Sequence, residues 1–205
     1  VAGSYWKARK AQQAVRVEWD FSEALDTTVD EVFEGYRKAA SEDPGEQERS
    51  EGDVEEAISK AGRVVEAEYE QPYLAHAPME PMNATAWYHD GGMEIWAPTQ
   101  APDLGRIAAC RNSDLSPDDV TVHTTFLGGG FGRRLTQDYI EEAAAVAYEL
   151  KVPVKLIWSR EEDMRHGFWR PAMLHRMTAS LDGSDLTGWD HQIVGPQILD
   201  WYVRN

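Results

Sequence analysis

Three short stretches of this sequence hold residue types able to handle a small ligand. The first is Leu127-Gly128-Gly129-Gly130-Phe131-Gly132-Arg133-Arg134. Consecutive glycines permit positive φ and let a backbone approach a ligand closely. They follow a β-rich run, Val120 to Phe126, and precede a helical pattern, so their amides suit a phosphate or pyrophosphate. Arg133 and Arg134 would add charge-assisted hydrogen bonds. Neither common nucleotide pattern fits. Leu135 stands where G-x-G-x-x-G needs its third glycine, and no Gly-Lys-Ser/Thr occurs. On spacing alone, a purely structural turn stays open.

The second stretch is Tyr73 to Asn83, YLAHAPMEPMN, in which His76 and Glu80 lie four apart. Pro78 and Pro81 argue against a regular helix, so a packed, hydrogen-bonded loop is favoured over a metal pair. The third is Ala97 to Pro102, APTQAP. Its Gln100 offers a neutral carboxamide that can donate to an oxo group and accept from water, although stabilising the loop is an equally open role. The six histidines show no HExxH spacing, and no G-x-S-x-G nucleophile elbow occurs. A single Cys110 rules out an internal disulfide, a four-Cys zinc site and a Cys-ligated iron–sulfur cluster in this chain, and reads as a buried spectator thiol.

The elements that must position these stretches are legible in outline. Ser4 is placed to cap a helix through about Val15, and Val15 to Trp19 alternates as a strand would. Residues 41–53, rich in acid and free of apolar side chains, read as a solvated linker. Asp53 and Glu56 form a capping-box pattern for a helix that stops near Gly62, followed by a strand from Arg63 to Glu70. Asn83 to Tyr88 and Met93 to Trp96 read as a hairpin turning at Asp90-Gly91-Gly92. A short helix is expected over Asp103 to Cys110. Thr136 is placed to cap a helix to Leu150, with Tyr139, Ala143, Ala147 and Leu150 on one face. Val154 to Trp158 reads as a buried strand, Ser159 to Glu162 as a second capping box, and the rest as strands turning at Asp182-Gly183 and near Gly188. The expected class is α+β, with mixed sheets and packed helices and no internal repeat.

Bulk properties bound the function. A length of 205 residues allows one sizeable domain or two small ones, and eight Trp with eight Tyr predict a packed core. The net charge of −16 would repel a phosphate backbone, so nucleic acid is not an expected partner. No apolar run approaches the roughly 20 residues that cross a bilayer. The chain opens on Val1 without Met or a basic-then-apolar leader, so its ends are expected to be cut boundaries, with any signal peptide missing or removed.

Taken together and in order, Tyr73 to Asn83, Glu94 to Gln100 (EIWAPTQ), Leu127 to Arg134 and Pro153 to Met164 (PVKLIWSREEDM) resemble the molybdopterin-binding large subunit of the xanthine oxidase and aldehyde oxidase family. The similarity is strongest to its isoquinoline 1-oxidoreductase and aldehyde dehydrogenase branch, and is clear over about residues 60–175. It implies that residues 1–52 are the tail of a preceding small α/β domain plus linker, and 53–205 the first part of a molybdopterin-binding domain. It implies molybdenum held by molybdopterin, in the cytosine dinucleotide form, present in the full subunit and not in this piece alone. No protein metal ligand is then required, because the protein contributes hydrogen bonds and orientation. Gln100 matches the family glutamine beside the molybdenum oxo group. Gly129, Gly130, Phe131 and Gly132 match the loop along the pterin, and Arg133 and Arg134 follow as this branch's own variation. The implied reaction is oxidative hydroxylation of an N-heterocycle or an aldehyde, with water as oxygen source and electrons leaving through a small subunit carrying two [2Fe-2S] clusters. The family's glutamate base has no counterpart here, so the chain alone is expected to be inactive. Leu135 stands where xanthine-oxidising relatives carry a substrate glutamate, which argues against purines. Cytoplasm and periplasm both stay open. The competing readings are a non-catalytic phosphate-binding module and an interaction scaffold.

Overall fold

The computed structural model describes residues 1–197. The chain divides into two compact units, Val1–Asp20 with Ala75–Trp169, and Phe21–Leu74 with the chain from Arg170 onward. This division differs from the expected boundary at 52/53. The acidic segment 43–52 is irregular, as its composition predicts, yet it lies inside the second unit rather than between the two. Residues 198–205 of the expected second domain lie outside the described residues.

The first unit is built on a four-stranded sheet, ordered Val120–Thr124, Gly92–Ala97, Asn83–His89, Val154–Ile157. The middle pair is the expected hairpin. Asp90 at φ 51 and Gly91 at φ 81 give the paired positive φ values that tight hairpin turns demand. Gly92–Ala97 and Val120–Thr124 run parallel, joined through the helix Pro102–Cys110. Alternation puts Ala84, Ala86, Met93, Ile95, Ala97 and Val120 on one face, fully or almost fully buried. The helix Asp138–Leu150 packs its buried face there, through Tyr139, Ile140, Ala143, Ala144 and Ala147, and Trp158 closes the same cluster. Small alanines let this helix sit close to the sheet.

Topology brings the motifs together. Ala97 pairs with Thr124 in the parallel ladder, so Pro98 to Gln100 and the glycine loop both leave the carboxyl ends of neighbouring strands. That is where open α/β sheets place ligands. Asn83 pairs antiparallel with Ile157, so the segment entering at 76–82 and the one leaving at 158 reach that same end. Thr125 N–H donating to Ala97 O and Trp158 N–H donating to Met82 O continue the pairing beyond the strands.

In the second unit the strand Met173–Asp182 lies between Arg63–Gln71 and Asp185–Val194, all antiparallel. The helices Val29–Glu42 and Val54–Lys60 belong to this unit, and Phe33 packs with Ala172 and Leu174 as a small second core. Asp53 caps the shorter helix by accepting from Glu56 N–H, as its spacing predicts.

Several expectations are corrected. Val15 to Trp19 is irregular and exposed, because alternation makes a strand only where a partner strand exists, and none pairs with it among the described residues. Thr136 does not cap the long helix. A 3₁₀ turn at Arg133–Leu135 takes up that stretch and the helix starts after Gln137. Gly188 is no turn; it lies within a strand opposite Ser180, at a bulge. The helix Val29–Glu42, with a full capping box of Thr28 and Glu31, is an addition to the expected elements.

Candidate functional site

The glycine loop takes its shape from three positive φ angles and local contacts. Gly129 sits at φ 101 and Gly132 at φ 91, values that L side chains rarely adopt, while Phe131 is held at φ 54. Arg133 N–H donates to Gly130 O and Leu135 N–H to Gly132 O, closing the turn at its far side. Phe131 is 72% exposed, and Phe126, just before the loop, is fully exposed. Among the described residues, the amides of Gly129, Gly130 and Phe131 meet no acceptor.

Gln100 stands directly against this loop. Gly132 N–H donates to its Oε1 at 3.0 Å, and a Cβ on Gly130 would come within 2.6 Å of that oxygen. Because the oxygen must face the amide proton, the Nε2 group points the other way, with no acceptor among the described residues. The backbone of Gln100 is fixed as well, its N–H donating to Arg134 O at 3.1 Å. The structure therefore brings Gln100 together with Gly130, Phe131 and Gly132.

The arginines behave differently from a ligand-contacting pair. Both are buried, Arg133 at 2% and Arg134 at 0% exposure. Arg133 makes a two-pronged ion pair with Asp138, at 2.9 and 2.8 Å, and its guanidinium lies over the Trp158 and Phe168 rings. What Arg133 offers the loop surface is backbone, not charge. Arg134 donates to Gly129 O at 2.8 Å, Pro98 O at 3.0 Å, Glu80 O at 2.8 Å and the Glu80 carboxylate at 2.9 Å. Glu80 also accepts from Gly128 N–H and from Asn83 Nδ2, each at 3.0 Å. His76 donates from Nδ1 to Phe168 O at 3.0 Å, and its Nε2 lies 3.8 Å from where a Gly132 Cβ would stand. His76 and Glu80 thus serve two separate contacts. Among the described residues no group of three His, Cys, Asp or Glu is arranged to hold a metal ion.

Two acids in this unit have raised carboxyl pKa values. Partial burial of its carboxyl raises Glu142 from its ordinary value, against the opposing hydrogen bond from Trp158 Nε1 at 2.8 Å. Burial also pushes Asp163 up, against the pull of Arg160 and Arg133. Cys110 is half-buried, and burial raises its thiol as well.

Sequence reasoning missed Glu80 with Asn83 and Arg134 as a structural set, and Thr99 with Gln137, whose side chains bond each other at 2.9 Å beneath Gln100. A signal existed for the first: an acid between two prolines that leave few backbone donors nearby.

Residues 37–195 match the molybdopterin cofactor-binding domain family, and the chain belongs to it. Among curated proteins, it is 33% identical over 195 residues to the membrane-bound aldehyde dehydrogenase [pyrroloquinoline-quinone] of Gluconacetobacter polyoxogenes, over 94% of this chain and 25% of that one. It is 32% identical over 177 residues to the isoquinoline 1-oxidoreductase subunit beta of Brevundimonas diminuta, over 86% of this chain and 22% of that one. The chain thus spans about a quarter of the length of these relatives. Its fold matches the aldehyde oxidoreductase of Desulfovibrio desulfuricans at a TM-score of 0.60 and 18% identity, over 70% of this chain and 16% of that one. Quinoline 2-oxidoreductase from Pseudomonas putida 86 matches at 0.58 and 20%, over 69% and 18%. The α+β architecture expected from the sequence is the one these solved structures share. No helix is long and apolar enough to cross a membrane among the described residues.

Proposed function

We propose that this chain forms one wall of the active site in the large subunit of a molybdenum hydroxylase, acting on an N-heterocycle or an aldehyde with water as oxygen source. The observation that carries the reading is the Gly132 N–H bond to Gln100 Oε1, which joins two motifs 32 positions apart into one surface. The residues present fit a molybdopterin. Donors without acceptors line the strip at Gly129, Gly130, Phe131 and Gln100 Nε2, matching a ligand rich in acceptor oxygens and nitrogens, and no protein metal ligand is required.

The cofactor, when bound, supplies two-electron oxidation chemistry. Gln100 donates from Nε2 to an acceptor oxygen without importing charge, and the Gly132 bond keeps it from rotating. The glycine backbone would follow the pterin, and Gly130 must stay without a side chain because a Cβ there would strike Gln100. Phe131 presents an exposed ring that contacts substrate and excludes water beside the reacting carbon. Arg133 supports the strip from behind, through Asp138.

The pterin is taken to be the cytosine dinucleotide form, and a small subunit with two [2Fe-2S] clusters to receive the electrons. The general base lies outside this chain, which by itself does not turn over. A free-standing phosphate-binding module is less well supported, because Arg133 and Arg134 are buried and bonded internally instead of facing a ligand. Metal and pterin analysis of the full-length subunit from its native host tests the reading: about one molybdenum and one pterin per subunit are expected, and finding neither defeats it.

A further inference from the structure

We propose that Glu80 and Arg134 are positioning residues whose ion pair, buried on the arginine side and partly exposed on the glutamate side, sets the placement of Gln100 and the glycine loop; this rests on the cofactor-wall reading above. Three chain segments converge on one guanidinium. Its Nε takes Gly129 O, its Nη1 takes Pro98 O, and its Nη2 takes both the carbonyl and the carboxylate of Glu80. The glycine loop, the segment leading into Gln100, and the Pro78–Pro81 segment are thereby tied at a single planar fork. Other side-chain chemistry cannot do this equally well. A lysine has comparable charge but no planar array of donors in fixed directions.

Charge balance explains the partner. A guanidinium with 0% exposure is tolerable only beside an anion, and Glu80 Oε2 lies 2.9 Å away. That carboxylate is itself fixed, by Gly128 N–H on Oε2 and by Asn83 Nδ2 on Oε1. Glu80 N–H donates to Gly128 O, so the acid and the loop are doubly joined.

Arg134 also grips from its other end. Its carbonyl accepts from Gln100 N–H at 3.1 Å and Gln137 Nε2 at 3.0 Å. One residue therefore locates the Gln100 backbone through its carbonyl and the loop through its side chain. Gly132, whose amide orients the Gln100 carboxamide, is only two residues away. Arg133 points to Asp138 and the Trp158 ring, so the adjacent arginines of the 3₁₀ turn brace the loop on different sides. Neither Glu80 nor Arg134 needs to touch cofactor or substrate.

The test uses the full-length subunit in its complex, matured in the native host, with Glu80→Gln and the milder Arg134→Lys. Amide hydrogen exchange is read on cofactor-depleted protein. Peptides covering 97–101 and 127–135 are expected to exchange about tenfold faster while the helix Asp138–Leu150 keeps its wild-type rate. In loaded protein, kcat should fall about tenfold or more with KM changed less than about threefold, and the Mo(V) electron paramagnetic resonance signal should shift. Unchanged exchange and an unchanged signal in both variants overturn the proposal. So does uniformly faster exchange across the domain, or failure of both variants to fold, since the pair would then be a general folding element. Absence of molybdenum from the wild-type subunit defeats the cofactor reading instead, and leaves the exchange comparison standing.

Discussion

Gly130→Ala should cripple the site while leaving the fold nearly intact, and the structure says by how much. The new Cβ would lie 2.6 Å from Gln100 Oε1, 2.7 Å from Cδ and 3.1 Å from Cγ. Ordinary carbon contacts are about 3.5–4.0 Å, so the carboxamide must retreat by about 1 Å. Retreat breaks the 3.0 Å bond from Gly132 N–H. An exposed neutral hydrogen bond contributes about 1 kcal/mol, and replacing glycine by alanine regains about 0.4–1 kcal/mol by restricting the unfolded chain. Stability should therefore fall by no more than about 1 kcal/mol. Displacing a positioned donor by about 1 Å costs on the order of 100-fold in rate. The assay is dye-linked turnover of aldehydes and N-heterocycles by the full-length complex, beside its thermal midpoint. A cycle with Gln100→Ala completes the argument, for that substitution removes all three of the nearest atoms a Gly130 Cβ would meet. Gly130→Ala should then cost less than about threefold. If it lowers the rate equally in both backgrounds, or leaves the single variant fully active, the reasoning about Gln100 is wrong.

Two titrations give further checks. Burial raises Glu142 in the folded chain above its ordinary value near 4.5, so the native state holds that proton more tightly and stability falls as pH rises through the interval between the two values. Glu142→Gln should accordingly match or exceed wild type in denaturant midpoint near about pH 7, with the advantage vanishing below the unfolded value; an advantage that grows on acidification contradicts this. His89 has a carboxylate at each ring nitrogen, Asp90 at Nδ1 and Glu94 at Nε2, and it is raised by them in that order above 6.5. Both nitrogens are donors only in the imidazolium, so the stabilisation is present below 6.5 and is lost as pH climbs through the folded value. The midpoint difference between wild type and His89→Gln should shrink from about pH 5 to about pH 9, and a constant difference would refute the assignment.

Much of the frame was legible because it is written in local chemistry. Asp90-Gly91 can turn a hairpin tightly, and Asp53 and Ser159 accept from the third amide onward, as their spacing predicts. The alternation of Met93, Ile95 and Ala97 gave the buried face. That Gln100 meets the glycine loop was available only through the resemblance, since a contact over 32 positions leaves no local trace. Two adjacent arginines after glycines look alike whether they face a phosphate or the interior, because charge is visible in sequence and burial is not. Their burial depends on Asp138, five positions from Arg133, and on Glu80, 54 positions before Arg134. Val15, Val17 and Trp19 mislead for the converse reason: the pattern is there and the pairing strand is not.

The central claim is that Gln100 and the Gly129–Gly132 backbone face a pterin-bound molybdenum. A crystal structure of the cofactor-loaded full-length subunit, with anomalous diffraction recorded at the molybdenum edge, measures this directly. The account predicts a metal peak with one of its ligand atoms within hydrogen-bond reach, about 3 Å, of Gln100 Nε2, and the pterin running along the loop. A peak placed away from this strip, with Gln100 facing only solvent, would contradict it.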